Sequence, residues 1–390
     1  MSSILSELKL NSDLFTGKRI LVIGDIAFDH SYYCRTSQKG FHAHHANELI
    51  FDIIPGGDDY GEVGSACNIS LFAKSLKADS FLFTVIGKDP EGQRVKEILK
   101  KDQIPNKPIE IPGLQTVTRL RFYIFNDILS SYELSYRMDK EPDYEFSYKS
   151  VISYIQKSRK FTELLQNKIE NCDLIILNDT EKGFLSKEFI DMISQFVDLE
   201  NEKRKKEHFP KIVTIVDPKN NWGKFQSLSD AIIKPNIKET IKELNLDPNE
   251  LENKLDINSF LQLIAEKLYE KYNCSVQNYV ITLGKDGAAF VNFSENNQNV
   301  YWFPAFNLEN EKDENKKGNM SAHCGDVFDT ALGLALTLEN CDIFSAIQFA
   351  NCAGFLQYSK GNGKKIKLQD LLQTEDLEYQ QKNSNYIKIS

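Results

Sequence analysis

The chain has 390 residues, of which 41% are hydrophobic and 26% are charged, and both values are near the averages for soluble globular proteins. This composition excludes a fibrous repeat and wholesale disorder. The formal net charge of −9 opposes a nucleic-acid partner, because a protein meets the phosphates of a duplex with a dense Lys/Arg surface.

The first residues, MSSILSELKLNSDLF, mix acidic and polar residues with apolar ones, so they predict neither a signal peptide nor a membrane anchor. No stretch approaches the roughly 18 apolar residues of a membrane span. The seven cysteines are odd in number and form no CxxC pair. A reducing cytosol accounts for them best, so we expect a cytoplasmic protein whose ligands are small molecules.

Short apolar runs that end in a glycine or a polar residue recur along the chain and predict strands. In chain order they are KRILVIG to Gly24, FLFTVIG to Gly87, DLIILN to Asn178, KIVTIVD to Asp217 and YVITLG to Gly284. Amphipathic stretches with helical spacing separate them. Continuous apolar strands that alternate with helices indicate a doubly wound, mostly parallel α/β sheet. Ligands of such sheets bind beyond the carboxyl ends of the strands.

A different pattern interrupts this alternation at about residues 115–139. Apolar and polar residues alternate there, with apolar residues at Thr118, Leu120, Phe122 and Ile124 and then at Tyr132, Leu134, Tyr136 and Met138. Such alternation predicts a β-hairpin with one apolar face. Together with residues of about 31–60, we expect it to form a small β lid on the main domain. An exposed apolar face favours a homodimer through this lid.

Two polar tracts are predicted to be insertions that form mobile surface loops, at about 198–208 (DLENEKRKKEH) and 308–319 (LENEKDENKKGN). Three histidines in the lid segment, His42, His44 and His45, raise the question of a metal site. No cysteine or acidic ligand accompanies them, so solvated or substrate-side polar residues are the favoured interpretation.

The segment His323-Cys324-Gly325-Asp326 is the candidate for phosphate chemistry, since the chain contains no GxxxxGK[ST] motif and therefore no P-loop. The residues that follow, VFDTALGLALTLEN, predict a helix that begins near the aspartate. Backbone N–H groups at a helix start bind an anionic phosphate, and a carboxylate there can deprotonate an attacking hydroxyl. Gly-Asp before a helix is by itself also an ordinary cap, so the assignment depends on its context.

Motifs spaced along the chain supply that context. In order they are Gly24-Asp25 with Asp29, Gly64-Ser65-Ala66-Cys67-Asn68, GxDxxG at 87–92, NDTEKG at 178–183, Asp217-Pro218-Lys219, KPNIKE at 234–239, TxGxxG at 282–287 and FANCAG at 349–354. This series resembles the ribokinase-like (PfkB) carbohydrate kinase family from residue 18 to about 368, and most closely its D-glycero-D-manno-heptose 7-phosphate kinase group. The resemblance implies a kinase domain at 18–390 that follows an N-terminal extension at 1–17.

The resemblance also implies roles for individual residues. Asp326 is the expected general base, and Gly325, Cys324 and His323 complete the catalytic segment. The sugar is expected at Asp29, Gly64, Ser65, Asn68 and Lys182. ATP is expected at Lys219, Thr282, Gly284, Gly287 and Asn351, and Mg²⁺ is expected near Asn236 and Glu239, through water. A monovalent cation is a further expectation.

The catalytic segment departs from the family pattern D-x-T-G-A-G-D. The residues here are Met320-Ser321-Ala322-His323-Cys324-Gly325-Asp326, which keep only the last glycine and the aspartate. His323 replaces a glycine that lets backbone N–H groups turn toward the transferring phosphate, so its side chain either hinders that geometry or itself donates to the phosphate. Met320 and Ala322 replace residues that adjoin nucleotide and monovalent cation.

Two functions therefore stay open. One is an active ATP-dependent carbohydrate kinase, and the other is a pseudokinase that binds sugar or nucleotide without turnover. Some heptose enzymes also carry a nucleotidyltransferase domain, for which a chain of 390 residues leaves no room. We therefore expect only the kinase half.

Overall fold

The computed structural model describes residues 4–36, 51–58, 61–126, 131–247, 256–273, 275–294, 297–306, 323–360, 365–373 and 386–389. In these ranges no helix is long and apolar enough to cross a membrane. Several predictions fall on residues outside them, namely those for the tract at 308–319, for His42, His44 and His45, and for Met320, Ser321 and Ala322.

Strands and helices alternate along most of the chain. The strands are β1 (Arg19–Gly24), β2 (Phe28–Thr36), β3 (Phe51–Asp58), β4 (Glu62–Val63), β5 (Asp79–Gly87), β6 (Asn106–Ile111), β7 (Thr118–Asn126), β8 (Ser131–Lys140), β9 (Leu174–Asp179), β10 (Val213–Pro218), β11 (Ile232–Ile233), β12 (Asn278–Thr282), β13 (Ala288–Ser294), β14 (Asn297–Phe303) and β15 (Ile387–Ile389). The α-helices are α1 (Ile4–Leu10), α2 (Ala66–Ser75), α3 (Pro90–Lys101), α4 (Tyr144–Lys157), α5 (Arg159–Glu170), α6 (Lys187–Glu207), α7 (Ile237–Glu243), α8 (Ile257–Tyr272), α9 (Cys324–Leu336), α10 (Ile343–Lys360) and α11 (Leu368–Leu372).

The large sheet has the strand order β15-β14-β13-β12-β11-β10-β9-β1-β5-β6. Neighbours from β12 to β6 are parallel, and β13, β14 and β15 extend one edge in antiparallel pairs. Helices α1, α2, α3, α9, α10 and α11 bury apolar side chains on one face, and α4, α5, α6 and α8 do so on the other. The predicted doubly wound, mostly parallel sheet is confirmed, and its five predicted strands are β1, β5, β9, β10 and β12.

A second sheet has the order β3-β2-β7-β8, with β4 paired to β2. Its β7–β8 hairpin is the one that the alternation predicted, and its register pairs Leu120 with Met138 and Phe122 with Tyr136. One face is exposed, since Tyr136 and Met138 are 51% and 55% accessible to solvent. This sheet is the lid. The homodimer through its apolar face stays a prediction.

The polar tract at 198–208 was predicted to be a mobile loop, and that prediction was wrong. All but its last residue continues helix α6. Two charged residues of the tract, Glu200 and Arg204, are buried and pair at 3.0 Å, one helical turn apart. Arg204 also donates to the backbone carbonyls of Glu170 and Cys172, at 3.3 and 2.7 Å. The helix continues through the tract because its buried charged side chains pair with each other and with backbone carbonyls at and just after the end of α5.

Helix α2 begins at a strained residue. Ser65 has φ +55° and ψ −125°, a conformation that glycine adopts easily and a residue with a Cβ does not. The preceding Gly64 lies so close to Asp29 that a Cβ there would be 2.9 Å from Oδ2. This tight turn places Asn68 in the first turn of α2, below the lid.

Replacement of Arg204 tests the corrected assignment of the polar tract. Arg204→Met is expected to lower the free energy of unfolding by about 3 kcal/mol, because the buried carboxylate of Glu200 then keeps only the exposed Lys203, at 3.5 Å, as an ion-pair partner. Lys205→Met is the matched control, since Lys205 is exposed on the same helix and a change below about 0.5 kcal/mol is expected there. Urea unfolding followed by circular dichroism measures both. Equal effects would contradict a specific role for the buried pair.

Relief of the strain at Ser65 is expected to stabilise the protein. Ser65→Gly should raise the free energy of unfolding by about 1 kcal/mol, because glycine removes the Cβ from an unfavourable backbone conformation. Asn221→Gly is the control, since Asn221 has φ +50° and ψ +56°, which asparagine tolerates, and a change within about 0.5 kcal/mol is expected. Thermal and urea unfolding measure both variants. A neutral or destabilising Ser65→Gly would show that the turn carries no strain.

Candidate active site

A cleft of about 320 Å³ lies where the carboxyl ends of β9 and β10 meet the lid and the starts of α2 and α9. The parallel register sets Gly24 beside Asn178, and Asn178 beside Asp217. Polar residues that follow three separate strands are thereby brought to one edge. The cleft is the position at which a doubly wound sheet binds ligands.

Asp326 lies in the first turn of α9 and faces this cleft. Asn68 donates from Nδ2 to its Oδ2 at 2.9 Å, so the start of α2 contacts the start of α9. The first backbone hydrogen bond within α9 runs from Val327 N to His323 O, at 3.0 Å. The amides before Val327 make no hydrogen bond within α9, and helix starts of this kind bind anions. A carboxylate beside such amides can accept a proton from a hydroxyl that attacks a phosphate.

His323 directly precedes α9 and keeps the backbone conformation of a glycine, with φ +66° and ψ 0°. The backbone at His323 therefore turns into α9 as a glycine would, although His323 has a side chain. The Nδ1 atom lies 2.9 Å from Nδ2 of Asn68 and 3.7 Å from Oδ2 of Asp326. His323 is brought into the cleft with the expected base.

A buried lysine, which the sequence interpretation had not assigned to the site, lies under the start of α9. Nζ of Lys234 is 3.1 Å from Asp217 and 3.3 Å from Asp329. Burial alone would lower the pKa of Lys234, but the two carboxylates outweigh it and hold the pKa well above its usual value. A Cβ built on Gly325 would lie 3.6 Å from this Nζ, so a fixed positive charge adjoins the helix start. The position of Lys234 directly after β11 and before the NxxE motif was the feature of the sequence that could have indicated its place in the site.

Three arginines of the lid also face the cleft, and they too were not among the predicted site residues. Arg119 and Arg121 are alternate residues of β7, and Arg137 is the register partner of Arg121 on β8. Arg121 donates to Oδ1 of Asp29 from Nη2 at 2.8 Å and from Nε at 3.1 Å, while Arg119 is 3.8 Å from Oδ2. Arg137 pairs with Asp139 at 2.6 Å. Their alternate spacing on the polar side of the predicted hairpin was the signal that could have found them.

Asp179, at the end of β9, is a further cleft residue, which the sequence interpretation had placed in the NDTEKG motif without assigning it to the site. Burial raises its pKa to about 6, although its ion pair with Lys224 at 2.5 Å opposes that rise. Asp25, beyond β1, accepts from the backbone amides of Thr180 and Lys182 at 2.9 and 3.2 Å. These contacts fix the turn after β9 at the floor of the cleft.

The predicted metal-organising pair belongs to a helix cap. Asn236 accepts from the amide of Glu239, and Glu239 accepts from the amide of Asn236, so the NxxE motif forms a capping box at the start of α7. Glu239 lines the cleft with Lys219, whose Nζ is 3.4 Å from Oε1. Burial raises the pKa of Glu239, and the charge of Asp217 raises it further. Asn236 itself does not line the cleft.

Other predicted residues lie apart from the lining of the cleft. Lys182, expected at the sugar site, instead pairs with Glu141 at 2.6 Å. Of the residues expected to hold the nucleotide, Lys219 lines the cleft, whereas the other four are apart from it, namely Thr282, Gly284, Gly287 and Asn351. Gly287 has φ +94° and no room for a Cβ, which would lie 2.0 Å from the carbonyl of Phe303. Asn351 donates to that same carbonyl at 3.3 Å. Both residues thus hold the end of β14 in place, and a contact with nucleotide stays a prediction.

No family model matches the chain. The bifunctional protein HldE from Helicobacter pylori (strain HPAG1) is 25% identical over 355 residues, which cover 91% of this chain and 65% of that protein. This chain therefore spans just under two thirds of the length of that relative.

Solved structures resemble the chain over nearly its whole length. A point mutant of phosphofructokinase-2 from Escherichia coli superposes with a TM-score of 0.64 at 13% identity, over 94% of this chain and 99% of that one. Ribokinase from Giardia lamblia superposes with a TM-score of 0.61 at 15% identity, over 91% and 98%. The chain thus has the fold of the ribokinase-like (PfkB) sugar kinases, and the resemblance that its motifs indicated is confirmed.

Proposed function

We propose that the protein is an ATP-dependent kinase that phosphorylates a hydroxyl of a sugar already carrying a phosphate, with heptose 7-phosphate as the preferred candidate. One observation carries this proposal. The cleft holds Asp326 at a helix start together with Asp29 and three lid arginines. A protein that only binds a neutral sugar needs neither a carboxylate in the first turn of a helix nor three guanidinium groups.

The catalytic step relies on position and electrostatics. Asp326 accepts the proton of the sugar hydroxyl as the new oxygen–phosphorus bond forms and the bond from phosphorus to the ADP oxygen breaks. The amides of Cys324 and Gly325 and the ammonium of Lys234 beneath them stabilise the negative charge of the transferring group. These groups are already in place, so they need no rearrangement at the moment of reaction.

The arginines support a phosphorylated substrate. Guanidinium groups bind phosphate in a bidentate manner, and three of them meet at the lid side of the cleft. Arg121 holds Asp29 in the structure described here. A substrate phosphate competes for that guanidinium, which leaves Asp29 free to accept from sugar hydroxyls. The heptose preference itself rests on the sequence resemblance.

The residues present fit Mg²⁺ that is held mainly by nucleotide phosphates and water. Within the described ranges no group of three or more Asp, Glu, His and Cys residues could hold a metal ion. Asp217 and Glu239 line the cleft with their carboxylates, and they would hold such an ion through water. When bound, it neutralises charge on the phosphates.

The second candidate is a pseudokinase that binds a sugar phosphate without turnover. It is favoured by the position of Thr282, Gly284, Gly287 and Asn351, which lie apart from the lining of the cleft. Gly287 and Asn351 both contact the carbonyl of Phe303 at the end of β14, so a structural role accounts for them without a bound nucleotide.

Replacement of the proposed base separates the two candidates. With Mg²⁺ and ATP, wild-type protein is expected to release ADP in response to one member of a panel of free and phosphorylated sugars, heptose 7-phosphate included. Asp326→Asn should lower that rate at least about 100-fold, since it removes the proton acceptor, and should still be stabilised thermally by the sugar. Asp230→Asn is the control, because Asp230 is an exposed aspartate that pairs with Lys211 and does not line the cleft. Wild-type protein that binds the sugar and never releases ADP would establish the pseudokinase.

Replacement of Arg137 tests the substrate class. Arg137→Met is expected to raise KM for the phosphorylated sugar about 10- to 100-fold, because a charge-assisted contact to phosphate is lost. For the same sugar without its phosphate, KM should change less than about twofold. Arg159→Met, an exposed arginine on α5, serves as the control. Equal effects on both sugars would contradict a phosphate site at the lid.

A further inference from the structure

The amide of Asn68 connects the proposed base to the histidine that precedes α9. Its Nδ2 lies 2.9 Å from Oδ2 of Asp326 and 2.9 Å from Nδ1 of His323. Asn68 is buried, with 4% of its surface exposed. An amide nitrogen has two hydrogens and donates only, so both contacts require an acceptor on the other side.

The carboxylate of Asp326 decides which end of the amide faces these partners. If the amide were rotated, the oxygen of Asn68 would face Oδ2 of Asp326, and two acceptors would be in contact without a proton between them. An ionised Asp326 therefore turns the nitrogen of Asn68 toward itself and, at the same time, toward His323. Nδ1 of His323 must then carry a lone pair, and a neutral imidazole carries its proton on Nε2.

The remaining nitrogen of His323 is available to a ligand. The side chain lines the cleft and is 18% exposed, and within the described part of the chain no hydrogen bond to Nε2 is found. Its backbone lies in the left-handed region, at φ +66°, which costs free energy for any residue with a Cβ. A histidine in a strained position beside the proposed base points to a role for its side chain.

We propose that Asp326, Asn68 and His323 form a hydrogen-bonded relay in which ionised Asp326 orients Asn68, Asn68 fixes the tautomer of His323, and Nε2–H of His323 donates to the transferring phosphoryl group. This inference rests on the proposed kinase function. The hydroxyl proton goes to Asp326 and His323 keeps its own proton throughout, so His323 supplies a hydrogen bond and no proton. The side chain that replaces a small residue at this turn thereby adds a donor to the anion site.

The tautomer can be measured without any activity. In the full chain labelled with ¹⁵N-histidine, at about pH 8, where a free imidazole is neutral, His323 is expected to show a protonated Nε2 and an unprotonated Nδ1. Its signals are assigned by their loss in His323→Gln. Asn68→Asp presents a carboxylate to Nδ1 and should move a proton onto that nitrogen, while the signals of His208 stay unchanged. A wild-type signal with the proton on Nδ1, or a mixture of both tautomers, would overturn the relay.

The donor role has two further readouts. Titration with inorganic phosphate should shift the Nε2 signal of His323 in wild-type protein, and the shift should be lost in Asn68→Asp. His323→Gly restores an unstrained turn but removes the donor, and kcat should fall about 10- to 100-fold with KM for the sugar unchanged. Unchanged or faster turnover in His323→Gly, or a signal indifferent to phosphate, would refute the donor role. If no variant and no wild type shows turnover, the kinase function fails, while the tautomer and phosphate titrations still decide the relay.

Discussion

The parallel register of β1, β9 and β10 is the constraint on which the site depends. It sets Gly24 beside Asn178 so closely that a Cβ at position 24 would lie 2.4 Å from the carbonyl of Asn178. This close approach lets the amide of Asp25 reach that carbonyl at 3.1 Å and directs the chain at once into the lid. The same register places Asp217 beside Asn178, and Asp217 pairs with the buried Lys234. The ends of these neighbouring strands therefore position the floor of the cleft, the lysine below it and the entry of the chain into the lid.

Charge compensation explains how so many ionised groups occupy one small cleft. Lys234 keeps its charge in ion pairs with Asp217 and Asp329 below the start of α9, and Arg121 pairs with Asp29 on the lid side. Each pair reduces the cost of desolvation for its members and holds them in a fixed geometry. An incoming phosphate meets cations that are already oriented, and an incoming hydroxyl meets carboxylates that are already held.

The sheet and the strand-end residues could be predicted because buried parallel strands leave a plain pattern, as the runs before Gly24, Asn178 and Asp217 show. The motifs that matched a known family suggested roles, which stay predictions, and the structure places Asp29, Asn68 and Asp326 around one cleft. The helical structure of the polar tract at 198–208 could not be predicted from its own residues, because Arg204 donates to backbone carbonyls 32 and 34 positions earlier in the chain. The arginines and Lys234 were not assigned to the site although their positions offered a signal, because their pairing with Asp29, Asp217 and Asp329 joins separate elements of the fold.

The lid is a separate sheet that the chain enters directly from β1, and this fixes its geometry at the point of entry. Phe28 is buried and its amide donates to the carbonyl of Val117, so the chain between Asp25 and Asp29 is held in place. The lid ladder is irregular at one level, between Tyr32 and Cys34 on β2 and between Phe122 and Tyr123 on β7, and Tyr32 and Phe122 are paired across the sheet. Bulges bend strands where they occur. The outer half of the lid is therefore bent relative to the inner half, and the arginines that line the cleft at Arg119 and Arg121 lie on the inner side of this bend.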